Sequence, residues 1–182
     1  MKNLKKLFNP KGIIGSILVV LVVVIAIFAP LIIPPEYATR MDMRARLSPP
    51  DFSHWLGTDQ LGRDLFYRMM LGARTSINIA TSAVLMSLII GLPLGLVSGY
   101  FGGRVDNILM RLVDTLLSFP ALLLALTISA VLGPSMQNTI IAIGIAFTPY
   151  LARLIRGEAL RVSQMPYVEA AISSGATHFS KV

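Results

Sequence analysis

The chain has 182 residues, of which 54% are hydrophobic and only 14% charged, against about 25% charged in an ordinary soluble domain. Its formal net charge of +7 comes from lysines and arginines scattered between apolar runs with no aromatic-interleaved basic stripe, a pattern that argues against nucleic acid as a partner. With no cysteine and only His54 and His178, no disulfide, thiolate centre or recognisable metal motif can be written, so neither a metal nor a cofactor is expected.

The hydrophobic excess lies in runs long enough to cross a bilayer, which takes about 20 apolar residues in a helix. The first, from Ile13 to Ile33, is free of charge and follows a tail carrying Lys2, Lys5, Lys6 and Lys11. A signal peptide has similar flanks. This run is longer than the usual apolar region of one, however, and Ala29, the best cleavage candidate, has Ile27 two positions earlier and Pro30 directly after it. An uncleaved anchor is the expectation.

Before the second run comes a polar segment, His54-Trp55-Leu56-Gly57-Thr58-Asp59-Gln60-Leu61-Gly62-Arg63-Asp64-Leu65-Phe66-Tyr67-Arg68. Read as a helix opening at Thr58 or Asp59, it places Leu61, Leu65 and Met69 on one face and pairs Asp59 with Arg63 and Asp64 with Arg68 at i,i+4. Such a helix serves either as a connector lying along the membrane surface or as a contact for substrate or partner.

The second run, Ile77 to Gly99, carries no charge, and Ala83, Ser87, Gly91, Gly95 and Gly99 recur along it every four residues. Small side chains on one stripe let another helix approach closely, and Pro93 predicts a local bend. The third run, Leu112 to Gly133, contains only Asp114, close to one end and paired in this reading with Arg111. A fourth, Asn138 to about Ile155, is interrupted by Pro149 and reaches Arg153. Short connectors, Tyr100 to Arg111 and Pro134 to Gln137, make neighbouring spans antiparallel.

Four crossings put both ends of the chain on one side. With the ends inside, ten basic residues lie inside and six arginines outside, so the positive-inside rule favours cytoplasmic ends. The runs hold no lysine, arginine, glutamate or histidine near their middles, unlike carriers driven by protons or sodium. No phosphate-binding loop, zinc-protease or serine-hydrolase motif is present, so the chain reads as no enzyme, without catalytic residues, and ATP binding would fall to another polypeptide.

After the fourth run, Ser163 or Gln164 can precede a short helix with Pro166 in its first turn, Glu169 early where the helix dipole favours an anion, and Gly175 as C-terminal cap.

Taken together these segments resemble the C-type permease subunit of the dipeptide/oligopeptide/nickel family of ATP-binding-cassette (ABC) importers. Gly57-Thr58-Asp59 with Gly62-Arg63-Asp64 is similar to that family's hallmark, Gly99 to Asp106 to its turn between the second and third helices, and Arg111 to Asp114 with Ser118-Phe119-Pro120 to its third helix. Glu169-Ala170-Ala171 with Gly175, next to Tyr167, resembles the coupling motif that docks on the ATPase. The resemblance implies an all-α polytopic protein in which four predicted transmembrane helices belong to a six-helix permease fold. It also implies partners: a homologous permease, two ATP-binding subunits, an extracytoplasmic binding protein and the lipid bilayer. The organisation expected is a cytoplasmic tail and first helix (1–33), an extracytoplasmic segment (34–76), core helices (77–155) and an incomplete cytoplasmic coupling loop (156–182). Two further helices would follow in the family, so the chain reads as truncated at its C-terminus. Substrates implied are peptides, nickel chelates or related solutes, and the alternative readings are a non-transporting membrane anchor or assembly protein, or an inactive truncated permease.

Overall fold

The computed structural model describes residues 10–34 and 36–174. Helices dominate: α1 (Pro10–Ile32), α2 (Glu36–Thr39), a 3-10 turn (Met43–Ala45), α3 (Leu65–Phe101), α4 (Gly103–Leu117), α5 (Ala121–Leu132), α6 (Met136–Ser163) and α7 (Pro166–Ser173). The chain divides into two compact units, one up to Asn78 and one from Ile79 onwards.

In the first unit, α1 has 23 residues and is about 35 Å long, enough for an apolar bilayer core of about 30 Å. Its outward side chains, from Ile13 to Ile32, are largely exposed, and only Ala26 and Ala29 are buried within it. That is the surface expected of a helix whose solvent is lipid. Residues 40–64 form a folded loop rather than a helix, and α3 opens only at Leu65. The amphipathic helix read from Thr58 onwards therefore does not exist. Gly57 and Gly62 sit at φ +75° and +69°, in left-handed backbone that breaks any helix there.

The second unit holds the C-terminal part of α3 with α4 to α7. Its core is the contact between α3 and α6. Ala83, Ser87, Gly91, Gly95, Ser98 and Gly99 are the buried residues of α3, and Ala142, Gly144, Ala146, Thr148, Pro149 and Ala152 those of α6. The approach is close enough that a Cβ on Gly91 would lie 3.1 Å from the Thr148 carbonyl oxygen, and one on Gly95 2.6 Å from that of Ala152. The Ser87 hydroxyl donates across the contact to the Gly144 carbonyl at 2.8 Å. Gly144, Thr148 and Ala152 repeat every four residues, so α6 carries a small-residue stripe of its own, which the sequence reading passed over.

Two expectations about continuity are corrected. The run from Leu112 to Gly133 is not one continuous helix: α4 and α5 meet at an 85° bend across Ser118-Phe119-Pro120. Proline disfavours α backbone in the residue before it and supplies no N–H, so the helix ends at Leu117 and a new one starts after Pro120. Alone, the 12 residues of α5 reach only about 18 Å. Conversely, Pro149 does not interrupt α6, which runs unbroken from Met136 to Ser163. Among the described residues, three helices, α1, α3 and α6, are long and apolar enough to cross a membrane, and the bent α4–α5 pair makes a fourth if it crosses as one span.

The connectors are short. Phe101 is followed within two residues by α4, through Gly102 and Gly103 at φ +59° and +53°. At the other end, Ser135 caps α6 by accepting from the Asn138 amide at 3.0 Å, while the Asn138 side chain donates to the carbonyls of Leu132 and Gly133 that end α5.

Glycine at 95 is thus required by the backbone of a neighbour, whereas Gly157 of α6 has nothing within 4 Å of where its Cβ would stand. Gly95→Ala is expected to lower stability by about 1–3 kcal/mol, because the Ala152 carbonyl that the new methyl meets is backbone and has to shift. Gly157→Ala should instead be neutral or stabilising by up to about 1 kcal/mol through helix propensity. Thermal unfolding of the two variants in detergent checks this, and equal melting temperatures would mean that the α3–α6 contact is looser than described.

Candidate functional site

Two constellations gather the residues singled out by sequence. One is the loop before α3. The Thr58 hydroxyl donates to the Ala45 carbonyl and accepts from the Ser48 amide at 2.9 Å, while the Thr58 amide donates to the Ser48 carbonyl at 3.1 Å. Asp59 is the hub. Its carboxylate accepts from the amides of Leu61 (2.8 Å) and Arg63 (3.0 Å) and from the Arg63 Nε (2.8 Å), and it also pairs with the Arg68 guanidinium. Asp64 accepts from the amides of Phe66 (2.8 Å) and Tyr67 (3.2 Å), capping the N-terminus of α3. Thr58 and Asp64 are buried.

Both glycines are dictated by this packing, since a Cβ on Gly57 would lie 2.5 Å from the Ser48 carbonyl oxygen and one on Gly62 1.7 Å from that of Asp42. All six residues, Gly57, Thr58, Asp59, Gly62, Arg63 and Asp64, therefore act together in holding one loop. The Asp59–Arg63 pair exists, but Arg68 joins Asp59 and not Asp64, because Asp64 is engaged with the first amides of the helix. Burial pushes the Asp59 carboxyl up, yet the Arg63 and Leu61 amides and the Arg63 guanidinium outweigh it and hold the pKa at about 2.

The other constellation lies where α6 ends. Arg156 is paired with Asp106 of α4, both Nε and Nη2 donating to the carboxylate, and the Ser98 hydroxyl of α3 donates to the same group. Two turns along α4, Asp114 pairs with Arg153 of α6 and not with Arg111, so the expected local pair is replaced by one between helices. After Ser163 the chain turns at Gln164 and Met165, and the Met165 amide returns to the Val162 carbonyl at 3.0 Å. Helix α7 then runs from Pro166 to Ser173, with Pro166 at its first position. Val168 is buried, whereas Tyr167 and Ala170 are exposed. Glu169 and Ala171 belong to α7 by their backbone, and Gly175 lies outside the described residues.

Sequence reasoning missed Asp106, Arg156 and Ser98 as a group and Val168 as the inward residue of α7. No spacing links Ser98 or Asp106 to Arg156 fifty or more positions away. Val168, the apolar residue between Tyr167 and Glu169, was the one available hint.

This is a polytopic, all-helical membrane protein. Residues 91–182 match the model of the binding-protein-dependent transport system inner membrane component family, and residues 7–50 that of the N-terminal transmembrane domain of oligopeptide transport permease C. The chain belongs to the former family, the inner-membrane components of binding-protein-dependent transport systems. It is 42% identical over 96% of its length to the dipeptide transport system permease protein DppC of Alkalihalophilus pseudofirmus, and 41% over 94% to the probable D,D-dipeptide transport system permease protein DdpC of Escherichia coli. To the oligopeptide transport system permease protein OppC of Bacillus subtilis it is 40% identical over 92%. The chain spans 55–57% of the length of these relatives.

A carboxyl group whose folded pKa lies below its unfolded value near 3.8 contributes stability above the unfolded value and loses it as the pH falls through the folded one. The loop at residues 40–64 is therefore expected to keep its amide protection down to about pH 4 and to lose it between about pH 4 and 2. Hydrogen exchange followed by mass spectrometry reads this directly. Asp59→Asn should bring the acid behaviour to neutral pH, and unchanged protection of the Leu61 and Arg63 amides in that variant would remove Asp59 as the hub.

Proposed function

We propose that this chain is a transmembrane permease subunit, or the larger part of one, of an ATP-driven importer of peptides, and that it carries no catalysis of its own. The reading is supported above all by α7, a short helix following α6 within the family-matched stretch, which buries Val168 and leaves Tyr167 and Ala170 facing outwards. Eight residues with an exposed aromatic are too little to form a core and enough to seat in another protein's groove. Peptides are favoured as substrate by the relatives, which are dipeptide, D,D-dipeptide and oligopeptide permeases and lend no such support to nickel.

In this reading the chain works beside a homologous permease, two ATP-binding subunits and an extracytoplasmic binding protein. Both of its ends face the cytoplasm, and the Asp59 loop faces outwards. Glu169, Ala170, Ala171 and Gly175, with Tyr167, are the residues through which nucleotide-driven motion enters the spans, and alternating access follows from moving those spans. Residues 1–33, 34–76, 77–155 and 156–182 are then tail with anchor, outer segment, core and coupling loop.

Because the chain lacks cysteine, single cysteines at the exposed Ser53 and Ser174 can be probed on intact cells with an impermeant thiol reagent. Labelling is expected at Ser53 alone, and the reverse pattern would invert the topology. For coupling, Tyr167→Ala and Glu169→Lys are compared in the assembled, reconstituted importer. Each should reduce ATPase association and cut binding-protein-stimulated hydrolysis by about tenfold or more, in line with loss of an interface anchor, while membrane insertion stays normal. Wild-type stimulation in both variants would withdraw the coupling role from α7.

A further inference from the structure

Arg156 lies ten positions before Pro166, on the part of α6 that leads into α7. Three helices meet at it. The Asp106 carboxylate receives two donors from Arg156 and one from Ser98, with 14% of the Asp106 side chain and 30% of that of Arg156 exposed, and Ser98 entirely buried. Beside this group, a Cβ on Gly99 would lie 2.7 Å from the Ala159 Cβ and 3.0 Å from the Arg156 carbonyl oxygen, so α3 grips the same turns of α6 through its backbone. The planar guanidinium engages the carboxylate through two nitrogens, which fixes orientation as well as distance.

A partly buried ion pair adds little net stability compared with apolar packing of the same volume, so its effect lies chiefly in specifying one arrangement. Apolar contacts along α3 and α6 would tolerate sliding by a turn, because small residues repeat every four positions on both helices. A two-pronged ion pair tied to a third helix does not. We infer that Asp106 and Arg156, braced by Ser98, are positioning residues that lock the α7-bearing end of α6 to α3 and α4, so that a displacement at α7 moves all three helices as one body. The inference rests on the permease reading above and adds to it the group that transmits the motion.

The test uses the complete importer, reconstituted with its partner permease, ATPases and binding protein, in wild-type form and as Arg156→Gln and Asp106→Asn/Arg156→Gln. ATPase association and basal hydrolysis are expected to stay within about twofold of wild type, since neither residue belongs to α7, while binding-protein-stimulated hydrolysis falls by on the order of tenfold, a typical coupling energy. Spin labels on cysteines at the exposed Asn107 and Ser163 should give one narrow distance in wild type and a broadened one in the double variant. If Arg156→Gln fails to assemble because Asp106 is left uncompensated, the double variant, which carries neither charge, decides. Wild-type stimulation and a narrow distance in that variant would overturn the inference and leave the permease reading standing. A wild-type complex whose hydrolysis ignores the binding protein would overturn the permease reading and the inference with it.

Discussion

The structure depends on how closely α3 and α6 can approach. Between membrane helices no hydrophobic force operates, since lipid tails are as apolar as leucine, and association has to come from packing at short range and from hydrogen bonds. Glycine at 91, 95 and 99 brings the α3 backbone against carbonyl oxygens and a methyl group of α6, and Ser87 donates across the gap. The opposite surfaces are free to be bulky: Val84, Leu85, Leu88 and Ile89 on α3, and Phe147 and Leu154 on α6, are exposed. Each helix thus has a narrow face for its neighbour and a broad apolar face for lipid or further helices.

Among the described residues no buried side-chain nitrogen or oxygen lacks a partner. In low-dielectric surroundings an unpaired polar group costs several kcal/mol, which confines the ionised side chains to places where partners converge. The Asp59 loop and the Asp106–Arg156 group meet that condition differently. Asp59 is satisfied by neighbours within nine positions, so the partners of this carboxylate are local. Asp106 is satisfied mainly from fifty positions away, so its group forms only once three helices have met.

Helix α4 shows how such pairing shapes the chain. Its charged residues Arg104, Asp106, Arg111 and Asp114 would be costly in the middle of a span, and the break at Ser118-Phe119-Pro120 separates them from the uncharged α5. The carboxylates of α4 then reach arginines of α6 at two levels.

Much of this was legible in the amino-acid sequence. Continuous apolar runs bounded by charge set the number and order of the candidate spans, the four-residue recurrence from Ala83 to Gly99 marked the narrow face of α3, and Pro166 marked the start of α7, because each of these signals is local. Spacing misled where two local structures compete for the same residues. Asp59 and Arg63 satisfy an i,i+4 helical pair and also a tight loop, and only the approach of Asp42 and Ser48, which demands glycines in left-handed backbone, decides for the loop. The same holds for Asp114, three residues from Arg111 in sequence yet paired with Arg153, and for the stripe on α6, whose partner had to be known before Gly144, Thr148 and Ala152 meant anything. What a residue does within its own turn of helix follows from its neighbours in the chain; which distant charge or backbone it meets is fixed only when the helices pack, because that choice belongs to two segments at once.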